Sequence, residues 1–272
     1  MLSGISVIGQ GTWNLELAPR AEAVKTLQRG IDLGMTHIDT AEMYGSGRAE
    51  ALTGEAIAGR RERVFVVSKV LPSNASRKGT IAACERSLKA LGIDHLDCYL
   101  LHWRGSYALA DTFAAFEELK AAGKIRSWGV SNFDTEDLDE ALRVAGKGKI
   151  ACNQVLYHLR ERAIEHAVIP WCEKNNVAVV AYSPFGQMAS PSPASPEGKT
   201  LAEIAGAHNA TPRQVALAFL TRKKSVLAIP KASKLAHAEE NAGAGDLALA
   251  AKEIEMIDKA FPLGRPKSLP ML

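Results

Sequence analysis

Eight short β-type runs recur along this chain at a spacing that admits few folds. They are SVIGQGT (6–12), THIDT (36–40), VFVVSKV (64–70), LDCYLLH (96–102), SWGVSN (127–132), ACNQVLY (151–157), VAVVAYS (177–183) and SVLAIPK (225–231). The first seven begin roughly 25–30 residues apart, the length of one strand, one helix and two connections. Most are continuous apolar stretches, as strands covered on both faces require. Between them, apolar residues fall three and four apart: Val24, Leu27 and Ile31; Ile81, Cys84, Leu88 and Leu91; Phe113, Phe116 and Leu119. That is the period of a helix with one buried face. Gly34, Gly59, Gly92 and Gly123 follow such stretches, where a helix stop belongs. Strands alternating with helices pair in parallel through right-handed crossovers. Eight of them close a barrel filled by side chains. The expected fold is therefore a (β/α)8 TIM barrel, one domain over residues 1–272.

The bulk properties agree. The chain has 272 residues, 47% of them apolar, enough for a large core. A net charge of +3 is too mild for a nucleic-acid binder, which would show a clustered basic stripe. Cys84, Cys98, Cys152 and Cys172 form no C-x-x-C pair, and two of them lie inside expected strands. They read as buried, reduced side chains, which fits a cytoplasmic setting. No basic region precedes a long apolar stretch at the start, and no apolar run approaches the ~20 residues of a membrane span. No His, Asp or Glu cluster has a trustworthy metal spacing. The regular spacing breaks once, after Ser183. PFGQMASPSPASPEGK (184–199) reads as a long Pro- and Ser-rich loop, a candidate lid, followed by two helical stretches around 200–221. One further helix is expected over 250–260.

In α/β barrels the chemistry gathers at the C-terminal ends of the strands. Asp39 ends the second run, with Tyr44 five residues on; Lys69 ends the third and His102 the fourth. Singly, each has a plain structural reading: a helix cap, a loop aromatic, a snorkelling lysine, a core histidine. On neighbouring strands of one barrel they meet at one rim. A free phenol, with a pKa of about 10, is a weak proton donor at neutral pH. An adjacent ammonium lowers that value, and Lys69 can supply the charge. Asp39 can hold Lys69 in place and charged. His102 can hydrogen-bond and orient a substrate oxygen. The expected chemistry is general-acid catalysis by Tyr44 on a carbonyl oxygen, with placed donors stabilising the developing alkoxide.

GQGTW (9–13), HIDTAEMYG (37–45), VVSKV (66–70), YLLHW (99–103), KIRSWGVSNF (124–133), NQVLYH (153–158), AYSPF (181–185) and IPKA (229–232) together resemble the aldo-keto reductase superfamily over residues 7–262, and within it bacterial reductases of methylglyoxal and similar small aldehydes. The resemblance implies an NAD(P)H-dependent enzyme in which Asp39, Tyr44, Lys69 and His102 form the catalytic set. It implies that Ser131, Asn132 and Gln154 hold the nicotinamide carboxamide and that Tyr182 stacks on the nicotinamide ring. Gly11, Thr12 and Asp39 border the cofactor, and Ser183, Pro184, Phe185 and Gln187 approach its pyrophosphate. Lys231 and Ala232 meet the adenosine 2′-phosphate; Glu240 and Asn241 meet the adenine. Trp13, Met43 and Trp103 join Tyr44 and His102 around the substrate, so the partner is a small carbonyl compound rather than nucleic acid or membrane. A monomer is expected.

Two departures from the family pattern stand out. Where many NADPH-dependent members carry arginine, this chain has His237. A neutral imidazole cannot offer the bidentate fork of a guanidinium, so NADPH is expected with a reduced preference over NADH. The short hairpin that usually closes the barrel bottom is expected to be largely missing, since only Met1 to Ile5 precede the first run.

Other readings are weaker. Gly9-x-Gly11 lacks the third glycine of a dinucleotide fingerprint, position 14 being Asn. In a barrel these glycines serve close backbone approach. EGKT (197–200) lacks the first glycine of a phosphate loop, which is Pro193. A Schiff-base role for Lys69 needs a depressed lysine pKa, which Asp39 opposes. The alternative from a different class is a cofactor-binding regulatory subunit of the same fold with little turnover, as in potassium channels. Those relatives carry N-terminal extensions and docking loops that are not evident here.

Overall fold

In the computed structural model, which describes residues 5–186 and 191–271, the chain forms eight parallel strands in the order of the sequence. They are β1 (Gln10–Gly11), β2 (His37–Asp39), β3 (Phe65–Val70), β4 (Leu96–Leu101), β5 (Ile125–Ser131), β6 (Ile150–Leu156), β7 (Ala178–Tyr182) and β8 (Val226–Ala228). Bridges from Ile8 to Ala228 and from Gly11 to Lys231 join the first strand to the last, so the sheet closes into a barrel. Around it lie α1 (Arg20–Asp32), α2 (Arg48–Ile57), α3 (Arg77–Leu91), α4 (Leu109–Ala121), α5 (Thr135–Ala145) and α6 (Val168–Asn175). After β7 come α7 (Pro196–Ala207) and α8 (Pro212–Leu220), and after β8 come α9 (Leu235–Ala242) and α10 (Ala251–Ala260). Among the described residues, no helix is long and apolar enough to cross a membrane.

The glycines of the first run are explained by close backbone approach on both sides, to β2 and to the segment after β8. A Cβ on Gly11 would lie 2.7 Å from the Ile229 carbonyl oxygen, and one on Gly9 equally close to that of His37. No side chain fits where the backbones approach so nearly. The 6–12 run is consequently a strand only over Gln10–Gly11, flanked by single hydrogen bonds from Gly9 N to Ala228 O and from Ala228 N to Val7 O.

The core has two layers. Outward strand residues such as Val66, Val70, Tyr99 and Leu101 pack with the inner faces of the helices. The barrel interior is filled by Val67, Cys98, Leu100, Cys152, Ala178, Val180, Leu227 and Ile229. All four cysteines are free and buried.

Helix ends follow local chemistry. Ser76 caps α3 by accepting from Gly79 N, and Gly92 closes it in the left-handed region at φ 65°. Ser195 caps α7, with Pro196 at its first turn. That cap draws residues 196–199 into a helix, so the expected loop 184–199 is shorter than its Pro- and Ser-rich composition indicated. Its centre, with Gln187, lies outside the described residues. α9 had no clear apolar stripe to announce it: only Ala238 and Asn241 are buried along its length.

His37 sits in β2 wholly enclosed, edge-on to Phe65 at 5.8 Å between ring centres. Its Nδ1 has no hydrogen-bond partner. Burial pushes the imidazole down to about 4, with the Lys69 charge acting in the same direction and Asp39 against it. Below pH 6.5 the unfolded chain therefore takes up a proton that the folded ring refuses until about pH 4. Stability from this group is complete above about pH 6.5 and falls with pH across that window, by about 3 kcal/mol in all. We expect His37→Leu to flatten the fall in thermal unfolding temperature between pH 6.5 and pH 4.5, followed by circular dichroism. An unchanged pH slope in the variant would contradict the assignment.

Candidate active site

Side chains alternate across a strand, and residues in register on parallel neighbours face the same way. Val67 and Lys69 share the inner face of β3, Cys152 and Gln154 that of β6, Val180 and Tyr182 that of β7. Since Val67, Cys152 and Val180 fill the barrel interior, Lys69, Gln154 and Tyr182 continue those columns upward to the C-terminal rim. Asp39 is in register with Val67 on one side and Gly11 on the other. Lys69 is in register with Leu100, two residues before His102. The sequence expectation that these positions converge is therefore met by strand geometry.

Tyr44 arrives differently, from a short turn over Tyr44–Gly47 in which Gly45 (φ 56°), Ser46 (φ 55°) and Gly47 (φ 86°) are all left-handed. The segment before it is strapped down by Glu42. Its carboxylate accepts from Leu71 N (2.8 Å), Asn74 Nδ2 (2.9 Å) and Arg86 Nη2 (3.1 Å). Glu42 had no assigned role in the sequence, although it lies inside the HIDTAEMYG motif.

At the rim, Lys69 Nζ donates to Asp39 Oδ1 (2.5 Å), to Thr40 O (2.8 Å) and to the Tyr44 hydroxyl (3.2 Å). Lys69 is fully buried and Asp39 is 1% exposed. Gln154 Nε2 donates to the other Asp39 oxygen at 2.7 Å. The His102 ring meets Tyr44 edge to face, with 5.7 Å between centres. Trp103 lies against His102 at 4.9 Å.

The charges follow from this packing. Burial alone would lower the Lys69 ammonium, but the carboxylate of Asp39 and the oxygen of Tyr44 outweigh it and hold it above the ordinary lysine range. That direction opposes a Schiff-base role, which needs a free amine. His102 is driven down to about 2, first by burial and then by the Lys69 charge, so its imidazole is neutral at any physiological pH. For Tyr44 the structure corrects the sequence expectation. Burial raises the phenol above its usual value, and the charge and hydrogen bond of Lys69 recover only part of that. The hydroxyl therefore keeps its proton at neutral pH, with the Lys69 ammonium beside it.

A cleft of about 520 Å³ opens on this group, within the range of small-molecule sites. It brings together Gly11, Thr12, Trp13, Met43, Trp103, Ser131, Asn132, Gln154, Tyr182, Ser183, Pro184, Phe185 and Lys231 with Asp39, Tyr44 and His102. Asn132 (φ 61°) and Ser183 (φ 48°) are held in the left-handed region where β5 and β7 end, a conformation costly for side-chain-bearing residues and common at binding sites. Asn132 Nδ2 donates to His102 O (3.1 Å), and Tyr182 Oη donates to Asn132 Oδ1 (2.9 Å). Ala232, His237, Glu240 and Asn241 do not line the cleft; the last three lie on α9 beyond its far end. Arg213 and Ile229 do line it, and neither was singled out from the sequence. Ile229 sits inside the IPKA motif, whereas Arg213 opens a helix with no surrounding motif.

One end of the cleft is walled by amides and a phenol ring, the other by cations. That donor set suits a ligand with a flat amide-bearing ring and anionic phosphates.

Comparison with known proteins identifies the family. Residues 7–261 match the model of the Aldo/keto reductase family. The chain is 46% identical to methylglyoxal reductase YeaE of Escherichia coli over 266 residues, covering 97% of this chain and 94% of that protein. It is 34% identical to glyoxal reductase of Bacillus subtilis over 239 residues, 87% of this chain and 83% of that protein. Among solved structures, an aldo-keto reductase from Klebsiella pneumoniae in complex with NADPH superposes with a TM-score of 0.94 at 44% identity, covering 98% of this chain and 95% of that one.

The buried pair makes a stability prediction independent of any reaction. Lys69→Met leaves Asp39 buried and unpaired and should lower the unfolding free energy by about 3–5 kcal/mol. Adding Asp39→Asn should restore much of it, because the uncompensated charge goes too. Urea denaturation of the single and double variants measures both, and a single variant as stable as the parent would contradict the buried ion pair.

Proposed function

The chain belongs to the aldo/keto reductase family, and from that premise we propose that it reduces small aldehydes and 2-oxoaldehydes of the methylglyoxal kind to alcohols, with NADPH as the reductant. The observation that carries the reading is the Tyr44 hydroxyl 3.2 Å from a buried Lys69 ammonium, itself fixed by Asp39, at the floor of the cleft. The name of the Escherichia coli relative supports the substrate class, and the NADPH complex of the Klebsiella pneumoniae relative supports the cofactor.

A reduced nicotinamide held in the cleft would supply the hydride that the carbonyl carbon takes up. Tyr44 gives its proton to the carbonyl oxygen as negative charge builds there. The phenolate left behind lies beside Lys69, whose charge is present before the reaction starts and needs no rearrangement. His102, neutral at working pH, donates a hydrogen bond to the same oxygen and sets the substrate's orientation. Trp13 and Met43 are exposed apolar groups at the mouth, and with Trp103 they offer a wall for a small, weakly polar substrate rather than a grip on a charged one. Ser131, Asn132 and Gln154 would hold the carboxamide, Tyr182 would stack on the ring, and Lys231 would meet the phosphate end.

Tyr44→Phe removes the proton donor while keeping the ring. Reduction of methylglyoxal or another small aldehyde, followed by loss of nicotinamide absorbance, should fall by about 10²–10⁴-fold, with NADPH affinity nearly unchanged. A variant that retains most of the rate would sink the role of Tyr44. A parent protein that binds NADPH yet turns over no aldehyde would favour the regulatory-subunit reading. Kinetic efficiency with NADPH should exceed that with NADH, and equality of the two would remove the case for a 2′-phosphate site.

A further inference from the structure

The far end of the cleft holds a cation that nothing above has used. Arg213, the second residue of α8, lines the cleft with Lys231 and Phe185. Its guanidinium carbon lies 3.7 Å over the Phe185 ring, a stacked arrangement that fixes the plane of the group. Its one ionic contact is Nε to Glu240 Oε2 at 3.5 Å, on neighbouring α9. That Nε is buried and without a hydrogen bond. Among the described residues the guanidinium makes no hydrogen bond. α8 does not need it either, because Thr211 and Gln214 cap that helix reciprocally.

A guanidinium carries five N–H donors, and a partly buried one usually spends several. Here the face of the group is occupied and its edge is not. The arrangement is that of a fork set in place before its acceptor arrives. The acceptor must be anionic and must reach the cleft between Phe185, Lys231 and Glu240. It must also compete with a carboxylate held only at ion-pair range, which a phosphate accepting two parallel N–H bonds can do.

We propose that Arg213 receives the 2′-phosphate of the dinucleotide and so selects NADPH over NADH, supplying from α8 the guanidinium that α9 lacks at His237. This rests on the cleft binding a nicotinamide dinucleotide. His237 is exposed on α9 and offers no fixed fork. Lys231, on the other side, contributes a point charge. NADH has no 2′-phosphate, gains nothing from Arg213 and leaves its contact with Glu240 undisturbed. The reduced NADPH preference expected from position 237 is thereby restored by a residue 24 positions earlier in the sequence.

Binding is the readout that tests this, because it needs no turnover. Dissociation constants for NADPH, NADH and the fragment 2′,5′-ADP can be measured by isothermal calorimetry on the parent, Arg213→Ala and Arg213→Lys. Arg213→Ala should weaken NADPH and 2′,5′-ADP by about tenfold or more and NADH by less than about twofold. Arg213→Lys should recover part of the loss, since it returns the charge without the fork. Adding His237→Arg to Arg213→Ala should also regain NADPH affinity and leave NADH as it was. Weakening of NADPH and NADH by the same factor would place the guanidinium on the pyrophosphate or in a structural role and overturn the proposal, as would unchanged NADPH binding. Loss of 2′,5′-ADP affinity in a protein that reduces no aldehyde would uphold Arg213 while sinking the reductase reading.

Discussion

An ion pair with no access to water holds this site together. Lys69 and Asp39 are both enclosed, and taking two charges out of water costs several kcal/mol per ion unless nearly every hydrogen-bonding position is filled. The fold fills them. Lys69 spends its three donors on Asp39, the Thr40 carbonyl and Tyr44. Asp39 spends one oxygen on Lys69 and the other on Gln154 from the opposite side of the barrel. Such a pair is poor evidence of stabilisation, since apolar residues of like volume would serve a core as well. Its presence makes sense through Tyr44, which is carried on a short turn and lines the cleft.

The burial that makes the ammonium effective also works against the tyrosine. Removing water strengthens the field of Lys69 at the hydroxyl, yet the same removal disfavours phenolate and lifts the phenol above its ordinary value. In the proposed reaction the two influences act at different moments. Before reaction the hydroxyl is un-ionised and carries the proton it has to give. As the proton departs, the new negative charge sits 3.2 Å from a cation that is already oriented. A site that lowered the phenol far enough to ionise it at rest would have nothing to donate in the direction of reduction. His102 follows the same logic. Driven down to about 2, it adds no second positive charge beside Lys69 and is available as a neutral donor.

The reacting end of the cleft was legible in the sequence because strand geometry governs it. Strand ends of a barrel share one rim, so Asp39, Lys69 and His102 could be placed together once the strands were located, whereas Gln154 was marked only by the family resemblance. The direction of the Tyr44 shift was not legible, because burial is a property of the assembled structure and the neighbouring lysine was the only influence visible along the chain. The start of α7 was hidden by composition. Ser195 and Pro196 read as loop residues until they are recognised as a cap and a first turn. α9 escaped because a short helix with two buried positions leaves almost no periodic trace.

The cofactor end differs for a physical reason. Its side chains come from α8, α9 and the loops after β7 and β8, whose directions no pleat dictates. A cation reaching the adenosine end can therefore come from either helix, provided it lies within a side-chain length of the same point. Arg213 on α8 lines the cleft, and its contact with Glu240 ties that helix to α9. The strand-borne end has no such freedom. Moving Lys69 by one residue would turn it from the rim into the layer between barrel and helices, where its charge would have no partner. On the proposed reading, chemistry is thus confined to the barrel, and the choice between cofactors is left to the surrounding helices.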